Sequence, residues 1–119
     1  MAIEKSKFKD QITKHFNMLK RQSYVVEQWD NLEIFYDPIS PIERIELNRI
    51  EDPMELNVQT LINKARDADG NPMFTLADKA WLMRETGANV VQVAAQHILL
   101  ADFMDPKELG KPSPPETEA

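Results

Sequence analysis

The sequence predicts a mainly α-helical fold: one small helical domain over residues 1–104, a short β-hairpin in its N-terminal half, and a disordered tail at 105–119. Three observations predict it. Apolar residues recur at spacings of three and four along most of the chain, the period of a helix with one buried face. Between Ser23 and Tyr36 that rhythm gives way to β-branched and aromatic residues, which favour strands. After Asp105 proline and charge dominate, a composition that does not pack. With 119 residues, 42% of them hydrophobic, the chain suffices for one core.

The N-terminal segment, residues 1–22, reads as a basic amphipathic helix over 3–21. Phe8, Ile12, Phe16 and Leu19 follow at spacings of four, four and three and form one stripe, with lysines around much of the remainder. Packing of the stripe on its own domain is the first reading and docking on another chain the second. A membrane surface comes third, because the acidic body repels anionic lipid.

The hairpin is expected at 24–36. Trp29-Asp30-Asn31-Leu32 supplies a tight turn, since Asp and Asn tolerate positive φ. Leu32, Ile34 and Tyr36 then face one side, Glu33 and Phe35 the other. Such a hairpin must rest on the helices to be stable.

Helices fill 41–104. Ser40, Pro41 and Glu43 form a helix start with a capping box, and the helix runs from Pro41 to about Glu51 with Ile42, Ile45 and Leu47 as apolar positions. Pro53 is expected to stop or kink it. A second helix carries Leu56, Val58, Leu61, Ile62 and Ala65 and is expected to end near Ala68. Asp-Gly-Asn-Pro at 69–72 makes a turn, and Thr75 with Asp78 caps the next helix. Its apolar positions are Leu76, Ala80, Leu82 and Met83, with Trp81 beside them. Gly87 breaks the chain. Ala88 to Phe103 is the most apolar helix, with a polar stripe of only Asn89, Gln92 and Gln96. Such a helix is central to a core, lies at a subunit interface, or does both.

Composition excludes several classes of chemistry. There is no cysteine, hence no disulfide, thiolate metal site or thiol nucleophile, and a reducing cytoplasm fits. No apolar run reaches the ~18 residues of a membrane span. Three glycines form no phosphate loop. Asp67-Ala68-Asp69-Gly70-Asn71 resembles the opening of a calcium loop, but the glycine required at its sixth position is Pro72 and the twelfth is Asp78; a capped interhelical turn is the better reading. His15 and His97 are single residues on different helices with no third ligand in view. No serine sits in a nucleophile elbow. The expectation is therefore a protein that is not an enzyme, with no catalytic residues, no cofactor and no metal. The aromatic stretch contains no basic residue from Ser23 to Ile42, which argues against nucleic acid there.

The net charge of −6 conceals an asymmetry: residues 1–21 carry six basic residues and two acidic ones, so the rest is strongly acidic. Opposite-sign surfaces of this kind pair between subunits or recruit different partners; a merely solvated basic helix is the plainer alternative.

Four features in order resemble the tail assembly chaperones of long, non-contractile-tailed (lambda-like) bacteriophages. They are the basic N-terminal segment, the aromatic stretch Trp29-Asp30-Asn31-Leu32-Glu33-Ile34-Phe35-Tyr36, the capped Ser40-Pro41-Ile42-Glu43-Arg44 start, and Lys-Ala-Arg-Asp-Ala-Asp-Gly-Asn-Pro-Met-Phe at 64–74 followed by Thr-Leu-Ala-Asp. The resemblance spans residues 25–100, and its specific part is 64–78. It implies a protein made in the host cell cytoplasm during infection and absent from the mature virion. The partners it implies are the tape-measure protein, the tail-tube protein, a longer frameshifted form of the chain and further copies of itself, with no membrane and no nucleic acid. It also implies a −1 ribosomal frameshift near the end of the shorter gene. The single Gly-Lys dipeptide, Gly110-Lys111, lies where such a junction belongs. The candidate interaction residues are Phe8, Ile12, Phe16 and Leu19, then Val90, Val91, Ile98 and Leu99, for which core packing is the alternative. A helical adaptor or head–tail connector subunit retained in the virion is the competing function. A small regulator using its basic helix on nucleic acid is a third.

Overall fold

The computed structural model describes residues 2–103, with side chains from Ser6 onward; the tail expected from 105, including Gly110 and Lys111, lies outside the described residues. The described chain is mainly α, with five helices and one two-stranded antiparallel hairpin. Helix α1 spans Ala2–Met18, strands β1 and β2 span Gln22–Val26 and Leu32–Tyr36, and helices α2 to α5 span Pro41–Asn48, Pro53–Lys64, Lys79–Glu85 and Ala88–Leu99.

The hairpin forms in the expected place, beginning two residues early, and pairs Gln22 with Tyr36 through Val26 with Leu32. Its loop is longer than a tight turn. Glu27–Trp29 make one 3₁₀ turn, and Asp30 and Asn31 then take φ of 57° and 60°, the left-handed region that Asp and Asn occupy more readily than most residues. The predicted alternation holds from Glu33 onward: Ile34 and Tyr36 are buried, Glu33 is exposed and Phe35 half-buried, whereas Leu32, expected on the buried side, is exposed at the start of the strand.

Ser40 caps α2 as its neighbours predict. Its Oγ accepts the Glu43 N–H at 3.4 Å, and Glu43 Oε1 accepts the Ser40 N–H at 2.9 Å. The helix stops at Asn48 instead of Glu51, because Asp52 and Pro53 start another. Pro53 is thus a beginning and not an interruption. Asp52 Oδ2 accepts the Glu55 N–H at 2.8 Å, and proline at the first helical position forfeits only an N–H that has no helical partner.

Helix α3 ends at Lys64, four residues short of the expected Ala68. The reason is tertiary. Arg66 exchanges backbone hydrogen bonds with Phe35, at 2.8 and 2.9 Å, and forms a further bridge with Pro72. The segment predicted as a simple joint between helices is therefore a short third rung laid against β2. Likewise α5 ends at Leu99, followed by a 3₁₀ turn at Ala101–Phe103.

The core gathers one face of the hairpin and the helices after it. Val26, Ile34 and Tyr36 meet Val58, Leu61 and Ile62 of α3, Leu82 of α4, and Val91, Ala94 and Ile98 of α5. Helices α3 and α5 form the broadest helix contact. Thr60, fully buried, donates its hydroxyl to the Leu56 carbonyl at 2.8 Å, so no polar group there is orphaned. Tyr24 stacks on His97 with ring centroids 3.8 Å apart, which ties β1 to α5.

Candidate interaction surface

Helix α1 stands apart from this core. Among the described residues it packs broadly against no other helix or strand, and from Ser6 to Met18 only Phe16 is even half-buried. Phe8 and Ile12, predicted first to pack on their own domain, are 57% and 69% exposed. The stripe divides at its end: Leu19, just past the helix, is wholly buried. Leu19 anchors the arm to the body, while Phe8 and Ile12 face solvent.

A cluster of polar contacts fixes the joint. Arg21, three residues past the end of α1, takes a left-handed φ of 58° as the chain turns into β1. Its N–H donates to Asp37 Oδ1 at 2.9 Å, and its guanidinium donates to the Ala68 carbonyl at 2.6 Å and lies 4.9 Å from the centre of the Phe35 ring. Buried Gln22 donates from Nε2 to the carbonyls of Leu19 (2.7 Å) and Ala101 (3.1 Å). The exit of α1 is thereby tied to both the turn at 67–71 and the end of α5.

That turn is built on Asp67. Its Oδ1 accepts the N–H groups of Asp69 and Asn71, each at 2.9 Å, while Gly70 sits at φ 86°. The Arg66 guanidinium donates to the Gly70 carbonyl at 3.0 Å. The Asp67 carboxylate is thus engaged in holding the turn. No group of three His, Asp or Glu side chains among the described residues is placed to share a metal ion.

A cleft opens between the hairpin tip and α4. Trp29, Leu32, Phe74, Trp81 and Leu82 form its apolar walls, Glu85 stands on its edge, and it encloses about 260 Å³. Trp81 is half exposed there. The capping of Thr75, whose N–H donates to Asp78 Oδ2 at 2.8 Å, and the 3₁₀ turn at Leu76–Asp78 set the start of α4 and so the placement of Trp81. Helix α2 adds a separate exposed pair, Ile42 and Ile45. Its Leu47 is buried, and the Lys64–Glu43 ion pair at 2.9 Å ties the helix to α3.

Two groups titrate away from their ordinary range. Burial, with the neighbouring Tyr24, pushes the Tyr36 phenol up to about 12. Burial alone would raise the Glu43 carboxyl, but its hydrogen bonds from Ser40 and Lys64 and the Lys64 charge outweigh that, and the net direction is down.

The candidate residues named from sequence separate by burial. Phe8 and Ile12 are exposed and Phe16 half-buried on the arm; Leu19, Val91, Ile98 and Leu99 lie in the interior, and Val90 is half-buried at its edge. Gly110 and Lys111 fall outside the described residues. The walls of the cleft come from three segments distant in sequence, so no local pattern marks it. The signal within reach was Trp81, a large aromatic side chain set off the apolar stripe of its helix.

No family model matches the chain, and no curated protein matches it. Among solved structures the chain is similar to the bacteriophage HK97 tail assembly chaperone, at 13% identity and a TM-score of 0.48, over 65% of this chain and 83% of that one.

Proposed function

We propose that this protein is a non-enzymatic tail assembly chaperone of long, non-contractile-tailed (lambda-like) phages. In this reading it binds the tape-measure protein, keeps it soluble and helps recruit tail-tube subunits. It acts in the host cytoplasm as an oligomer and is left out of the mature virion. A longer product diverges by −1 frameshift near Gly110-Lys111. The observation that carries the reading is the apolar surface offered outward: the Phe8–Ile12 face of α1, the Trp81 cleft, and Ile42 with Ile45 on α2. A long helical protein with one apolar face is covered by surfaces of this kind until permanent neighbours replace them. The resemblance at 64–78 points the same way.

Co-expression with the tape-measure protein tests the reading. The expected result is a soluble complex and an aggregated tape measure when the chain is omitted. Mass spectrometry of the products of the native coding DNA is expected to show a second polypeptide that shares residues 1–109. Recovery of the chain from purified virions would instead support the adaptor or connector reading.

A further inference from the structure

We infer that α1 of one copy docks its Phe8–Ile12 face into the Trp29–Trp81 cleft of a second copy, joining copies of this chain head to tail. The inference deepens the self-association in the proposed function by naming both surfaces, and it does not require the tape-measure partner.

The arm needs a cover. An isolated helix of this length is marginal in water, and burying a Phe or Ile side chain contributes about 1.5–3 kcal/mol. The arm's own body is not the cover: the joint at Arg21 and Gln22 is fixed by its hydrogen bonds, and beyond it Phe8 and Ile12 remain exposed. The cleft supplies a site of the right size. It encloses about 260 Å³, whereas a cavity of ~150 Å³ already admits a benzene ring. Phe8 and Ile12 lie one turn apart, a rise of ~6 Å, so a single approach inserts the ring and lays the Ile12 side chain against the rim.

Charge selects the orientation. Residues 1–21 carry six basic side chains and two acidic ones, while residues 23–42, which include the hairpin tip, carry Glu27, Asp30, Glu33 and Asp37 with no basic residue. Trp29 lies in sequence between two of those acids and Glu85 also lines the cleft, while of the two basic residues of α4, Lys79 is already paired with Glu55 at 2.8 Å and Arg84 adjoins Glu85 in sequence. Arm meeting arm repels, whereas arm meeting cleft attracts. Because the two surfaces differ, the contact is heterologous and propagates to rings or open filaments.

The test uses the full chain. The mass of the unmodified protein in sedimentation equilibrium should rise with concentration. Phe8→Glu (arm-dead) and Trp81→Glu (cleft-dead) should each remain monomeric at concentrations where the parent associates, with helical circular dichroism retained. Mixed together, the two variants should form a one-to-one heterodimer and stop there, because one intact arm meets one intact cleft. Since the chain has no cysteine, Ile12→Cys mixed with Glu85→Cys should form a disulfide heterodimer many times faster than Ile12→Cys mixed with Asn63→Cys on α3. The proposal is overturned by a parent protein that stays monomeric, by variants that associate as the parent does, or by crosslinking equal to the control. A Phe8→Glu variant that stays monomeric yet still captures the tape-measure protein supports the arm as a contact between copies and leaves the chaperone function standing, whereas one that associates as the parent does but loses capture overturns the docking and assigns the arm to the tape measure.

Discussion

Glu43 serves the N-terminus of α2 and the flank of α3 together, accepting from the Ser40 backbone and from the Lys64 ammonium. Its carboxyl is lowered from the ordinary value of 4.5, so the folded state binds this proton less readily than the unfolded one. The stability it contributes is complete above that value and is lost as pH falls through the lowered folded value. Thermal melts across acidic pH should show that loss in the parent and a weaker dependence in Glu43→Gln. Ser40→Ala should destabilise by about 1 kcal/mol, as removal of an N-cap does. Tyr36 runs the other way. Its phenol is raised from 10.0 to about 12, so stability is full below pH 10 and declines as pH rises toward about 12. Tyrosinate absorbance should accordingly show Tyr36 ionising well above 10.0 and together with unfolding. Burial divides the apolar residues just as plainly: Leu61→Ala in the core should cost ~2–5 kcal/mol, whereas Phe8→Ala should change the monomer's stability by under ~0.5 kcal/mol.

The rung from Ala65 to Pro72 is held from several sides: Asp67 holds its own turn, Arg66 reaches Phe35 and Gly70, and Arg21 reaches Ala68. Asp67→Ala removes an ionised acceptor of two N–H groups and should destabilise by ~2 kcal/mol. Gly70→Ala meets nothing within 4 Å, so its effect is purely conformational: about 1 kcal/mol for φ in the left-handed region, measurable by urea denaturation. Local chemistry made much of this scale legible in the sequence. Ser40 with Glu43, Thr75 with Asp78, and Asp30 with Asn31 each announce a cap or turn through side chains that bond or bend the nearby backbone. What was not legible came from residues distant in sequence. Nothing near Lys64 says that Arg66 will find Phe35, and the pairing overrides the helical pattern that continues to Ala68. Pro53 is ambiguous alone, since only the use of Asp52 as a cap makes it a start.

Across the whole molecule, spacing proved a good guide to which faces are apolar and a poor one to which are buried. Phe8 and Ile12 repeat like Leu61 and Ala65, yet the first pair is in solvent and the second in the core. Periodicity reports that a face needs covering, and assembly decides what covers it. The arm was therefore visible in the sequence as a candidate surface, while the cleft, composed of the hairpin tip, Phe74 and α4, had no local signature. Hydrogen exchange reads the difference. The amides of α1 should exchange rapidly in dilute protein and become protected as concentration rises, while those of α3 and α5 stay protected throughout. Removing residues 1–17 should leave the body folded with Leu19 in place, and its melting temperature should no longer depend on concentration.

The contacts of Arg21 have a mechanical consequence. Helix α1 is a lever ~25 Å long whose fulcrum is held by the Ala68 carbonyl and Asp37. A pivot of ~10° there carries the tip through ~4 Å, nearly one helical turn of rise. In the assembly proposed above, the pitch from one copy to the next, and with it the choice between a closed ring and an open spiral, is set at the Arg21 joint with Asp37 and Ala68 and not at the tip of the arm.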